Sequence, residues 1–567
     1  MKIKWDYKRP SPELVERMCC ELLIQPVQAE MLIKRGFRDP SSAMEFLEPS
    51  LGSLFDPNQM KGMEAAVARI HLAMKNSEKV LIYGDYDADG ITSVVVLKRA
   101  LELLDLKIGY YIPRRLEDGY GLREEALEKI AKDGYSLVIT VDCGIRAVKC
   151  AEFACELGLD LIITDHHLPE KLSPPAVAVI NPKQDGCSYP YKDLAGVGVV
   201  FKLVQALFSS VGKEDLVPHF LKLVAIGTVA DRVPLTGENR VITFWGLKGL
   251  SNPRNPGLSA LLSGSGIGFE VNSQDIGFKI APRINAYTRM GGGSEIVELF
   301  FQSYREIVEG GMVGKMNEKN NARKYSEREI IREIDEKLEE HPVSPEDNFL
   351  LFSGKGWHKG IIGIVASRMT NRFYRPCLVI SVGEDSCQGS GRSIPGFHLL
   401  EALTSCDDLL SRYGGHAQAA GCSLDTADLE QIEKLRSRLN EYAGSVLNED
   451  QKTPSLDIDA YLPIHQVGPD IYNQIKQLEP FGKSNPEPVF ASRNVQIYAG
   501  PELLSGKHLK MQALAGDQVV DMIWWQKNSI PENLRVGSYV DVAYCLQEDI
   551  YKEKKSVYMN IRDLQVF

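Results

Sequence analysis

Behind a short apolar run the chain sets aspartates at alternate positions: VLIYGDYDADGITS, residues 80–93, carries Asp85, Asp87 and Asp89. Three carboxylates so close repel one another unless a positive group stands between them. Three further places share the pattern. Asp142 follows SLVITV, Asp165, His166 and His167 follow LDLIIT, and Asp231 follows LVAIGTVA. A single aspartate after a strand is most often a helix cap, and a lone histidine pair is most often a surface feature. Four such sites, all at the ends of apolar runs, exceed what capping needs. Divalent cations convert the repulsion into coordination. Aspartate with histidine and without thiolate disfavours a structural zinc site and suits manganese or magnesium, histidine tilting the choice to manganese. Two such ions about 4 Å apart suit the activation of a water for in-line displacement at phosphorus.

For these side chains to meet, the elements bearing them must end on one edge. KVLIYG reads as a buried strand, ITSVVVLKRALELL as a helix, and IGYYIP, SLVITV and LDLIIT as further strands separated by helical segments. That alternation predicts βαβ units and a mostly parallel sheet, whose strands share one carboxyl edge where ligands bind. FLKLVAIGTVA, 220–230, reads as a buried helix stopping at Asp231. No P-loop and no nucleophile elbow is present, and AGVGVVF, 195–201, lacks the third glycine of a dinucleotide fingerprint.

The remaining chain is too long for one core. With 567 residues, several domains are expected: an N-terminal extension over 1–45, a parallel-sheet domain over 46–301, a connecting helix over 302–341, a second α/β domain over 342–450 and a small antiparallel barrel over 451–567. The connecting segment is highly charged with sparse apolar residues at helical spacing, and the last segment is a series of short alternating strands. No apolar run of about 18 residues occurs, so no membrane helix is expected. Eleven scattered cysteines without C-x-x-C pairs fit a reduced, cytoplasmic protein. The net charge of −11 argues against binding nucleic acid by bulk charge but leaves room for a local basic groove.

GDYDADG, VDCG, TDHH and GTVADRVPL, in this order, resemble the four motifs of the DHH phosphoesterase superfamily. The likeness continues through YGL (120–122), APRINA (281–286), GWHKGIIGIVASR (356–368), GSGRS (389–393), GGHAQAAG (414–421) and PFGKSNPEPVF (480–490), matching its single-strand-specific DNA exonucleases. This resemblance implies a parallel-sheet DHH domain, a second, DHH-associated α/β domain and an OB-type barrel. It also implies an enzyme that removes 5′-mononucleotides from single-stranded DNA in the 5′→3′ direction during recombination and repair. Asp87, Asp142, Asp231, Asp89 and His166 would hold two manganese ions (magnesium being possible), with Asp142 bridging and Asp85 completing one sphere. Asp165 would orient a histidine, and His167 would face the scissile phosphate. A single-strand-binding protein and a RecQ-type helicase are the partners it implies. The alternatives are a phosphodiesterase of short oligonucleotides or cyclic dinucleotides, and a dead scaffold, which intact motifs disfavour.

The same resemblance makes Ser390, Arg392 and His416 strand contacts of the second domain, and Arg283 and Arg289 phosphate contacts. Tyr287 and Thr288 depart from the small residues common there. Arg368, Arg372 and Arg375 fall on one helical face beside Phe373 and Tyr374, a combination suited to single strands. Trp524 and Trp525 are adjacent and must face opposite sides of a strand, so at most one is a base platform.

Overall fold

A computed structural model describes residues 3–567 apart from 115–118, 120, 290, 291, 517, 552 and 553. Tyr120 of the YGL motif and Met290 lie outside the described residues. The chain divides into two compact units, 7–317 with 458–567, and 318–457 with the first residues of the chain.

In the first unit, β1 (Lys79–Gly84), β2 (Lys107–Tyr111), β3 (Leu137–Val141), β4 (Asp160–Thr164) and β5 (Ala178–Ile180) form a parallel sheet in the order β2-β1-β3-β4-β5. Helices cover both faces, so Val80, Ile82, Leu137, Ile139 and Ile162 are fully buried and the strands read as continuous apolar runs. The chain reverses direction across the sheet between β1 and β3, the place where open parallel sheets bind ligands. Helices α1 (Ala88–Glu102), α2 (Gly196–Ser209) and α3 (Leu221–Ala230) pack in the same apolar core as the sheet. Beyond them, α4 (Ala281–Thr288) continues a π-helical turn, Ile276–Ile280.

The same unit holds a closed five-stranded barrel of Phe490–Leu504, His508–Ala515, Gln518–Trp524, Tyr539–Tyr551 and Lys554–Val566. Its core has a second component that sequence patterning does not reveal. Met18, Ala29, Met31, Leu32 and Phe46 from three short N-terminal helices share a cluster with Phe490, Val540 and Met559. Arg35 locks that contact, donating to Asn485 Oδ1 (2.8 Å), Asp459 Oδ1 (3.2 Å) and the Pro486 carbonyl (2.8 Å).

The segment read as one connecting helix is two helices, Tyr304–Gly310 and α5 (Met312–Glu340). Gly311 separates them at φ +60°, a conformation that glycine adopts without steric cost. In the second unit, β6 (Leu350–Lys355), β7 (Cys377–Val382), β8 (Cys387–Arg392), β9 (Arg412–Gly415) and β10 (Ala419–Leu424) form a mixed sheet in the order β9-β10-β8-β7-β6. Helix α6 (Ile362–Phe373) packs on it.

Candidate metal centre and strand contacts

The carboxyl edge of the parallel sheet gathers every acidic and histidine residue singled out from its spacing. Asp85 follows β1, Asp142 follows β3 and Asp165 follows β4, while Asp231 caps the C-terminal end of α3. Three groups have ligand atoms all within 4.8 Å of one another: Asp85, Asp87 and Asp142; Asp142, His166 and His167; and Asp89, His166 and Asp231. Asp142 belongs to two of them. It is also held at φ +61°, a left-handed conformation uncommon outside glycine but tolerated better by aspartate than by most residues.

The loop after β1 is organised by its own carboxylates. Asp87 is the N-cap of α1, its Oδ1 accepting from the amides of Asp89 (2.9 Å) and Gly90 (3.0 Å). Asp85 Oδ1 accepts from the Tyr86 amide at 2.7 Å. Asp89, buried, accepts from Gly196 N and Val197 N, both at 2.8 Å, at the first turn of α2. Amides at a helix start carry positive potential, so this is where a buried carboxylate is best tolerated. Gly196 is required there, since a Cβ would collide with the Asp142 carboxyl.

Those amides do not neutralise the site. Burial, then Asp231, pushes Asp89 up to about 7. Burial, then Asp87, does the same to Asp231, which also sits at the negative end of a helix. Burial, with Asp89 and Asp87 behind it, drives Asp142 well above the carboxylate range. Burial pushes His166 down, keeping its ring neutral, so its 3.2 Å approach to Asp142 Oδ1 and 3.7 Å approach to Asp231 Oδ2 are not salt bridges. Both His166 ring nitrogens are buried without a hydrogen bond. Neutral imidazole beside carboxylates that resist ionisation is what a divalent cation resolves, since it takes neutral nitrogen and ionised oxygen together. The donor set therefore fits a metal, and oxygen with imidazole suits a hard divalent ion.

Asp165 does different work. Its Oδ1 accepts from His167 Nδ1 (2.7 Å) and from the amides of His166 (2.7 Å) and His167 (3.0 Å), and its Oδ2 accepts from Ile145 N (2.9 Å). Burial alone would raise this carboxyl, but the His167 bonds outweigh it and hold it below the usual range. Burial likewise opposes protonation of His167, yet the Asp165 bond wins and raises it. His167 is thus fixed in tautomer and direction, and Asp165 favours its protonated form.

The basic residues divide. Arg283 on α4 donates to Asn317 Oδ1 (2.6 Å) and the Lys279 carbonyl (2.7 Å), and Arg289 ends the same helix. In the second unit, Ser390 and Arg392 on β8 pair in register with Gly421 and Ala419, which puts them beside the β9–β10 turn bearing His416. Arg372 instead engages Asp335 of α5, and Arg368 lies 2.5 Å from Glu327 of that helix. The face read as basic is thereby met by acids of α5. Of the tryptophans, Trp524 packs against the barrel core with Lys527 over its ring, whereas Trp525 is 45% exposed beside His508.

Two contributors have no assigned role in the sequence reading, although AGVGVVF and APRINA contain them. The Gly196 and Val197 amides stand in AGVGVVF, whose glycines signal close backbone approach but suggest only a dinucleotide site. Asn285 carries no charge, yet its Oδ1 accepts from Ala88 N at 2.9 Å, in the middle of the Asp87–Asp89 loop.

Three parts of the chain match known families. The DHH family N-terminal domain matches residues 79–228, the DHHA1 domain 346–445 and the RecJ OB domain 458–563. The single-stranded-DNA-specific exonuclease RecJ of Bacillus subtilis (strain 168) is 38% identical over 570 residues, spanning 100% of this chain and 71% of that protein. RecJ of Escherichia coli (strain K12) is 31% identical, covering 95% of this chain and 96% of its own. The crystal structure of RecJ in complex with Mn2+ from Thermus thermophilus matches with a TM-score of 0.84 at 29% identity, over 99% of this chain and 79% of that one. A structure of RecJ from the same source contains Mg2+. Among the described residues no helix is long and apolar enough to cross a membrane. With its DHH, DHHA1 and OB segments in this order and a relative 38% identical along its whole length, the chain belongs to the RecJ family of single-stranded-DNA-specific exonucleases.

Proposed function

We propose that the protein hydrolyses single-stranded DNA from the 5′ end, releasing 5′-mononucleotides, with two divalent cations at the carboxyl edge of β1, β3 and β4. The observation that carries this reading is the cluster of five aspartates and His166, with Asp85, Asp89, Asp142 and His166 buried and Asp87 and Asp231 half-buried, in which burial holds Asp89, Asp142 and Asp231 up and pushes the imidazole down. Asp87, Asp89, Asp142, Asp231 and His166 would hold the ions, with Asp142 between them and Asp85 completing one. Manganese is the preferred ion and magnesium a substitute, since imidazole favours the softer of the two. When bound, the ions supply Lewis-acid activation of water and offset charge on the transferring phosphoryl group.

The chain's own residues do the rest. His167, raised in basicity by Asp165, presents a proton towards the scissile phosphate and the departing oxygen. Arg283 and Arg289 take phosphates of the strand, as do Ser390, Arg392 and His416 in the second α/β domain. Arg372 contributes only by giving up its pair with Asp335. The barrel extends the nucleic-acid surface, with the exposed face of Trp525 the better stacking candidate. We assign these roles to domains spanning 46–301, 342–450 and 451–567. The setting is cytoplasmic recombination and repair, beside a single-strand-binding protein and a RecQ-type helicase. A phosphodiesterase of short oligonucleotides has no use for such a barrel.

Single-stranded 40-mers labelled at the 5′ or the 3′ end test this. Early release of labelled mononucleotide from the 5′ end alone, with Mn2+ and not with chelator, is expected. Cleavage confined to oligomers of two to five residues would replace the reading with the small-substrate one.

A further inference from the structure

Four backbone amides of the loop carrying Asp85, Asp87 and Asp89 have side-chain acceptors. Those of Tyr86, Asp89 and Gly90 are taken inside the loop, by Asp85 and Asp87. The fourth, Ala88 N, is taken by Asn285 Oδ1 at 2.9 Å, from 197 residues along the chain. Ala88 is the first residue of α1, where an amide has no acceptor within the helix and the N-cap side chain is already engaged by the next two. Asn285 stands on α4, two residues after Arg283 and four before Arg289. It reaches that position directly behind a π-helical turn, Ile276–Ile280, the kind of helical irregularity that frequently marks functional sites.

We propose that Asn285 is a positioning residue for the reaction: its carboxamide oxygen fixes the peptide between Asp87 and Asp89, so that both carboxylates are aimed at the metal centre before an ion arrives. This rests on the metal reading above and extends it to a residue without charge or ligand role. Asp85 and Asp87, which accept from the other loop amides, would also face the ions, and the α2 amides grip the Asp89 side chain, so Asn285 holds the loop's backbone from outside while those carboxylates are engaged. Residues that support ligands in this way are worth about 10–100-fold in metal affinity.

The test is a calorimetric titration of Mn2+ into the full chain and into Asn285→Ala and Asn285→Asp, with hydrogen exchange at the Ala88 amide in the metal-free proteins. Wild type should bind Mn2+ and protect that amide. Asn285→Ala should lose the protection, bind Mn2+ about 10–100-fold more weakly, and lose kcat at saturating metal while keeping its KM for single-stranded DNA. Asn285→Asp keeps an acceptor oxygen in place and should recover both metal affinity and protection. If Asn285→Ala binds Mn2+ as wild type does, the positioning role is wrong and the metal centre stands. If wild type takes up no Mn2+, both fall. A loss of metal affinity that Asn285→Asp does not recover, or a matching collapse of the metal-free fold, would reduce Asn285 to a structural residue and overturn the proposal.

Discussion

Among its described residues the first unit buries carboxylates at the sheet edge and at Glu238, and it treats Glu238 and the metal-site carboxyls differently. Glu238 is 1% exposed and fully provided for: Lys202 Nζ lies 2.5 Å from Oε1, Phe55 N donates to Oε1 at 2.9 Å, and the Tyr189 hydroxyl donates to Oε2 at 2.6 Å. At the sheet edge Asp87, Asp89 and Asp231 have no ion pair with lysine or arginine among the described residues, and three of the site's carboxyls are driven upward instead. A compensated buried charge holds the fold together. At the proposed metal centre Asp89 and Asp231 are held up by burial and by neighbouring carboxylates, and a cation from solution would offset that repulsion.

Neutralising one group of each kind separates the two cases with the largest effect. Asp142→Asn should lower exonuclease activity by about 10³-fold, because the metal centre supplies several kcal/mol and each 1.4 kcal/mol is tenfold in rate. The same substitution should leave the metal-free protein as stable as wild type or more so in thermal unfolding, since it removes a carboxyl that burial disfavours. Lys202→Met should do the reverse. It strands Glu238 and should cost about 3–5 kcal/mol of folding stability in denaturant titration, with activity per folded molecule unchanged.

A smaller effect runs through pH. Asp89 and Asp231 are held up to about 7, against about 3.9 in an unfolded chain. A raised folded value means stability present at low pH and lost as pH rises through it, so the metal-free protein should soften between about pH 4 and pH 7. Saturating Mn2+ should abolish that loss, because it binds the ionised form. Scanning calorimetry across this range with and without metal checks the sign. A metal-free stability that rose over the same interval would mean these carboxyls are already compensated.

The smallest effect concerns the second unit. Arg372→Ala should change single-stranded DNA affinity by no more than about threefold, since an exposed pair of this kind is worth little and the arginine already has Asp335. Fluorescence anisotropy at two salt concentrations reads it. A loss of tenfold or more, with a flatter salt dependence, would return Arg372 to the strand-binding surface.

Much of the edge could be read from residue order. Strands KVLIYG, SLVITV and LDLIIT are apolar on both faces, which only a covered parallel sheet tolerates, and such a sheet brings the ends of distant strands to one line. Asp85, Asp142 and Asp165 follow from that alone. What stayed hidden was the backbone and the long-range neutral contact. Asp89 is held by amides, which nearly every residue possesses, and Asn285 contributes an uncharged oxygen from a helix that no periodicity ties to β1. Helical spacing likewise placed Arg368 and Arg372 on one face without saying that Glu327 and Asp335 of α5 lie against it. The N-terminal helices bury one side each, but an apolar side names no partner, and theirs is a barrel at the far end of the chain.

If the sheet edge is a cation receptor, metal titration of the full chain reads it without intermediaries. At pH 6.5, Mn2+ should bind with release of protons, as the carboxyls held up by burial ionise, and Asp142→Asn should abolish tight uptake. Mn2+ binding without proton release, or uptake unchanged in Asp142→Asn, would contradict a receptor built from carboxyls that burial holds up.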